Sequence, residues 1–161
     1  MRFSLKSCLV SMLTGAITLV AGQALAVSGP GATMKNANSK DNSCLSASNY
    51  GAITNYCSYP VTVIGSLPVS EGLYSTSVSL FGNNSSCNTQ STNVFGNSYS
   101  LGSDVFTQAG PQHWETLNLG NRYVLYNTTL IYSCNLESGG IIGNFIAVPA
   151  WVFALSSIEL L

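Results

Sequence analysis

Between Leu73 and Phe81 the residues Tyr74, Thr76, Val78 and Leu80 alternate strictly with serines at 75, 77 and 79. A period of two sends the two sets to opposite faces of an extended chain, and a helix would scatter both around its axis. The segment therefore reads as a strand with one buried face and one polar face. Similar runs recur along the chain. Pro60 to Leu67 is apolar and β-branched, and Ser70-Glu71-Gly72 turns it back into the alternating run, which Gly82-Asn83-Asn84 ends. Val94 to Leu101 is a weaker strand interrupted at Gly96-Asn97. His113 to Leu119 follows Pro111 and ends at Gly120-Asn121, a pair suited to a two-residue hairpin turn. Arg122 to Asn135 is the longest run; Gly139-Gly140 turns it into Ile141 to Val148, and Trp151 to Leu155 adds a last strand. No segment has a helical period. The expected fold is all-β, an antiparallel sandwich of about seven to nine short strands in a meander or Greek key.

The first 26 residues read as a secretory signal peptide. Arg2 and Lys6 precede an apolar stretch from Cys8 to Ala21, and Ala24-Leu25-Ala26 is a small-x-small cleavage pattern. Cleavage after Ala26 leaves 135 residues, secreted to the periplasm or the exterior of a bacterial cell. That length suits one domain. Residues 27–48 are rich in Gly, Ser, Asn and Lys and read as a flexible N-terminal arm, with the sandwich domain over 49–161.

Without the signal peptide the chain keeps three basic residues, Lys35, Lys40 and Arg122, against six acids, a net charge of −3. So few cations leave nothing to neutralise a phosphate backbone or an anionic membrane, so nucleic acid is excluded as a partner. Serine, threonine and asparagine make up 46 of the 135 residues and take over the surface. The remaining cysteines, Cys44, Cys57, Cys87 and Cys134, are even in number and read as two disulfides with three possible pairings. Their wide spacing, with no histidine nearby, does not suit zinc, and no metal or other cofactor is expected. Ile141 to Leu161 has the length of a membrane span, but Asn144, Pro149, Ser156, Ser157 and Glu159 interrupt it, so no stable transmembrane anchor is expected.

His113 is the single histidine, beside Trp114 and Glu115. A small hydrolase could use His113 as a base oriented by Glu115 or Asp104, but no G-x-S-x-G elbow accompanies it. The aromatics fit binding better. Trp114, Tyr99, Tyr126 and Tyr74 lie among Asn and Ser donors, the mixture that stacks sugar rings and bonds their hydroxyls. The expected function is a non-enzymatic binding module whose ligand is a glycan or a cell-surface protein. The alternatives are the hydrolase and a membrane-acting toxin with an inserting C-terminal hairpin. Nothing in the sequence bears on oligomeric state.

Ile53-Thr54-Asn55-Tyr56-Cys57-Ser58-Tyr59-Pro60-Val61 resembles the opening strand of thaumatin-like proteins, with Asn55, Cys57, Ser58, Tyr59 and Val61 matching. The resemblance spans about nine residues. It implies a sandwich strand with a disulfide at Cys57; that family's dense disulfide framework and acidic cleft have no counterpart here, and its function is not carried over.

Overall fold

The computed structural model describes residues 26–151. The expected signal peptide and the expected strand after Trp151 lie outside them. Twelve strands follow in chain order: β1 (Val27–Pro30), β2 (Lys35–Asn36), β3 (Leu45–Ala47), β4 (Ile53–Asn55), β5 (Val61–Leu67), β6 (Gly72–Gly82), β7 (Ser86–Asn93), β8 (Ser98–Leu101), β9 (Val105–Phe106), β10 (His113–Val124), β11 (Thr128–Leu136) and β12 (Ile141–Pro149). They form two antiparallel sheets. The first runs β10-β6-β12-β4-β3, with β1 also on β12, and the second runs β2-β5-β11-β7-β8, with β9 also on β7. Most neighbours are not consecutive in the chain, so the order is of Greek-key type and not a meander.

The alternation in β6 decides the layering. Val78 and Leu80 are buried from that strand, facing Val61, Val63, Leu130 and Leu136 of the second sheet within one core. Tyr132 of β11 and Phe145 of β12 meet across the sheets with ring centroids 4.8 Å apart, and the buried Tyr132 hydroxyl donates to the Ile146 carbonyl at 2.7 Å. Such a phenol fills core volume without stranding its polar tip.

Both disulfides form, as Cys44–Cys57 and Cys87–Cys134. The second joins residues directly opposite one another on β7 and β11, wholly buried. The first ties the 3-10 turn at Ser39–Cys44 to the chain after β4. That segment was expected to be a flexible arm over 27–48, and the structure corrects this. β1 lies on β12 of the first sheet and β2 on β5 of the second, with Met34 buried between them. Glycine makes the entry possible, because a Cβ on Gly29 would run into the Phe145 ring.

The twelve strands exceed the seven to nine expected. The expected strand from Val94 to Leu101 begins only at Ser98, because Val94 and Phe95 form a turn, and the boundaries around Gly120 differ as well. β10 does not end at Gly120-Asn121 but continues to Val124 through a bulge in which Leu119 has no partner on β6. Gly120 takes φ +80°, a conformation glycine adopts without strain. The chain turns instead at Leu125–Asn127, where Asn127 has φ 60° and Thr128 donates to the Leu125 carbonyl.

The bulge inverts the facing of β10. Before it Leu117 and Leu119 point inward; after it Arg122 and Val124 do. The guanidinium of Arg122 thus enters the sandwich, donating to the carbonyls of Thr89, Asn121 and Leu119. Burial lowers its pKa. Thr76 bonds both Thr89 at 3.0 Å and the Gly120 carbonyl at 2.8 Å, completing a polar seam between β6, β7 and β10.

Candidate functional site

The outer face of the first sheet is the candidate site. Ser75, Ser77 and Ser79 of β6 point away from the core and are half-buried. On β10 their neighbours are Asn121, Asn118 and Thr116, all exposed. On β12 they are Val148, Ile146 and Asn144. None of these side chains carries a charge, so the face is neutral, open and rich in hydroxyl and amide groups.

Aromatic rings mark both ends of this face. At one end Trp114 of β10 pairs with Phe81 of β6, ring centroids 5.7 Å apart and planes tilted by 54°. At the other, Tyr123 pairs with Leu73, and both are exposed. The Trp114 indole reaches over β6 as far as β12. A Cβ built on Gly143 would lie 3.1 and 3.3 Å from its six-membered ring. Gly143 is itself the extra residue of a bulge between Ile142 and Asn144. A glycine under the ring lets the indole lie across the sheet, and 53% of Trp114 stays exposed. A half-exposed indole held against a sheet by a missing side chain is a preorganised stacking surface, because its rotamer is already restricted before anything binds.

The other expected binding residues are dispersed. Tyr74 is 7% exposed with its ring in the core, so it has no face to offer a ligand. Its edge meets a recess of about 400 Å³ at the end of the sandwich, lined also by Val27, Val69, Glu71 and Trp151. Tyr99 is exposed on β8 of the second sheet, where its hydroxyl accepts from Asn93 Nδ2 at 3.1 Å. Tyr126 is exposed in the turn between β10 and β11. Of the four, Trp114 alone stands on the neutral face. Tyr123, Phe81 and Gly143 were missed. The signal for Tyr123 was the period of two continued past Gly120 with its phase inverted, which a hairpin at that position conceals.

The expected catalytic group assembles only in part. His113 Nε2 lies 3.8 Å from Glu115 Oε2, two residues along β10 on the side opposite to Trp114. His113 Nδ1 is 2.9 Å from the Pro111 carbonyl, and the Glu115 carboxylate accepts from the Gln108 backbone N–H at 3.0 Å. These contacts hold the loop before β10. Asp104 is occupied elsewhere, accepting from the Asn88 side chain. Among the described residues no serine or threonine hydroxyl bonds the imidazole. The four cysteines expected to be structural are all consumed in disulfides, so none offers a thiolate to a metal.

The fold and the face together define a Greek-key β-sandwich with a neutral, aromatic-ended sheet surface. No family model matches the chain, and no curated protein matches it. Among solved structures it is similar to the GH26-CBM35 β-(1,4)-mannanase of Podospora anserina, at 14% identity and TM-score 0.49 over 80% of this chain. The chain spans 28% of that enzyme's length. It is similar to the module TmCBM61, solved in complex with β-1,4-galactotriose, at 15% identity and TM-score 0.45 over 76% of this chain and 86% of that one. It is also similar to the insecticidal crystal protein Cry2Aa, at 14% identity and TM-score 0.47 over 71% of this chain and 20% of that one.

Proposed function

We propose that this chain is a secreted, non-enzymatic module that binds a glycan on the outer face of its first sheet. The observation that carries the reading is the half-exposed Trp114 indole laid over Gly143 beside a row of neutral hydroxyl and amide side chains. A pyranose offers one apolar C–H face and a ring of hydroxyls. The first matches an indole surface and the second matches Ser, Thr and Asn. Two disulfides, one wholly buried, fit an oxidising compartment outside the cytosol. The apolar stretch from Ile141 supports binding over membrane insertion, since β12 is paired on both sides with Ile142, Phe145 and Ala147 in the core. No helix among the described residues is long and apolar enough to cross a membrane.

A glycan array probed with the secreted protein and with its Trp114→Ala variant tests this. Aromatic stacking is worth about 0.5–1.5 kcal/mol beyond the area it covers, so removing the indole should weaken binding by roughly tenfold or more. Trp114→Phe should retain part of it. Binding that is unchanged in Trp114→Ala removes the proposed site, and a blank array removes the glycan.

A further inference from the structure

Resting on that reading, the geometry points to a narrower ligand: we infer that the face takes an uncharged, extended polysaccharide, held along its length parallel to β6. Charge is the first argument. The outward side chains of β10 between the aromatic ends are Thr116, Asn118 and Asn121, and those of β12 opposite them are Asn144, Ile146 and Val148. The nearest carboxylate on β10, Glu115, belongs to the opposite side of that strand and is engaged by the Gln108 N–H. A uronate or sulfated sugar would lose water on this face and gain no cation in return, a cost that neutral sugars avoid. The three basic residues outside the expected signal peptide are placed elsewhere: Arg122 is buried, while Lys35 and Lys40 lie in the N-terminal segment.

Length is the second argument. Trp114 and Tyr123 stand opposite Phe81 and Leu73, the two ends of the same strand. Eight residues of strand separate those ends, roughly 27 Å at the usual rise, against about 5 Å for each ring of an extended pyranose chain. A ligand with a ring on each aromatic end therefore has about six rings. Both rings stand on an open sheet, Trp114 at 53% and Tyr123 at 47% exposure, so the chain can run on past either end. This arrangement recognises an internal stretch of polymer and makes no use of a terminal sugar.

The test is calorimetric titration of the full secreted chain with cello-, manno- and β-1,4-galacto-oligosaccharides of three and six rings, and with polygalacturonate. The neutral series that binds should gain at least tenfold in affinity between three rings and six. Tyr123→Ala should remove most of that gain, and Trp114→Ala should weaken binding of both lengths. A hexasaccharide blocked at either end should bind as the free one does. Affinity that stops rising at three rings, stronger binding to polygalacturonate, or loss of binding on end-blocking overturns this inference. Each of those results leaves the Trp114 site standing if Trp114→Ala still weakens binding. Absence of binding to every probe overturns the inference and the glycan reading together.

Discussion

Asn55 offers the sharpest test of how this sandwich is held at one end. Its side chain is completely buried. The amide nitrogen donates to the carbonyls of Tyr59 at 3.0 Å, Leu136 at 2.9 Å and Glu137 at 3.2 Å, and Oδ1 accepts from the Cys57 N–H at 2.8 Å. Its backbone also receives Gly139 N–H and donates to Gly140, so one residue binds the loop after β4 to the loop after β11. In Asn55→Ala the two fully buried partners, Cys57 N–H and the Leu136 carbonyl, lose their only side-chain mate, while the two half-buried carbonyls recover water. At about 1–3 kcal/mol for each stranded buried group, the loss is about 2–6 kcal/mol, a large part of a domain's whole stability. Urea unfolding with the disulfides intact measures it, with the midpoint falling and the slope unchanged. Asn55→Asp sharpens the test. It keeps the acceptor for Cys57 but turns a carboxylate toward three carbonyls, so its folded-state pKa must rise. The folded state then holds a proton that the unfolded state releases at neutral pH, and the variant should regain stability relative to the parent as pH falls. A loss below about 1 kcal/mol in Asn55→Ala, or no pH dependence in Asn55→Asp, would refute the accounting of stranded groups.

The remaining predictions concern the face and the seam beneath it. Gly143→Val should push the indole off the sheet, lowering glycan affinity at least fivefold and shifting Trp114 fluorescence in a Trp151→Phe background; unchanged affinity would separate Gly143 from the site. Arg122→Ala should cost about 2–4 kcal/mol, through a cavity and the loss of three donations to carbonyls. Arg122→Met loses the same donations but fills the space and removes a buried charge, so it should cost less by roughly 1 kcal/mol or more. Equal losses in urea unfolding would mean that the hydrogen bonds, not the volume, carry the seam. Burial raises the Tyr132 phenol above its ordinary value of 10.0, so its contribution is whole below that pH and fades as rising pH ionises the unfolded chain. Stability measured from pH 9 upward should therefore decline less steeply in Tyr132→Phe than in the parent.

What could be read from the sequence was whatever local pattern carries. β5, β6 and β12 fall where the alternating apolar runs placed them, because each buries its own side chains against apolar partners. β7 was not legible. Its core-facing residues are Cys87, Thr89 and Ser91, and a run of small polar residues has no hydrophobic period to detect. It is nonetheless a central strand, because Cys87 bonds Cys134 and Thr89 bonds Thr76 and Arg122. Those partners come from distant parts of the chain, so the reason Thr89 is buried is not written near Thr89. The N-terminal segment was misjudged for the same reason. Gly29 reads as a loop residue until the Phe145 ring that fills the place of its side chain is known.

The candidate site was half legible for a related cause, which lies in two backbone irregularities flanking β6. Trp114 could be singled out as an aromatic in a polar setting, but its orientation depends on the extra residue at Gly143 in a strand that follows it by almost thirty positions. Tyr123 faces outward only because the bulge at Leu119 inverts the alternation of β10. Without that extra residue Arg122 and Val124 would point to solvent, and Asn121 and Tyr123 would be driven into the core. Asn118 holds the bulge by accepting from the Gly120 N–H at 2.9 Å, so an outward residue of the face also fixes which later residues face outward. β10 is in addition the edge of its sheet, where a bulge and an inward-pointing charge both discourage pairing with another chain. One local distortion thus guards an edge strand, supplies the cation of the buried seam and turns the second aromatic end onto the candidate face. Removal of the glycine at 120 threatens all three at once, since φ +80° is strained for residues with a side chain. The candidate face and the core of this sandwich are consequently not separable parts: the same two bulges specify both.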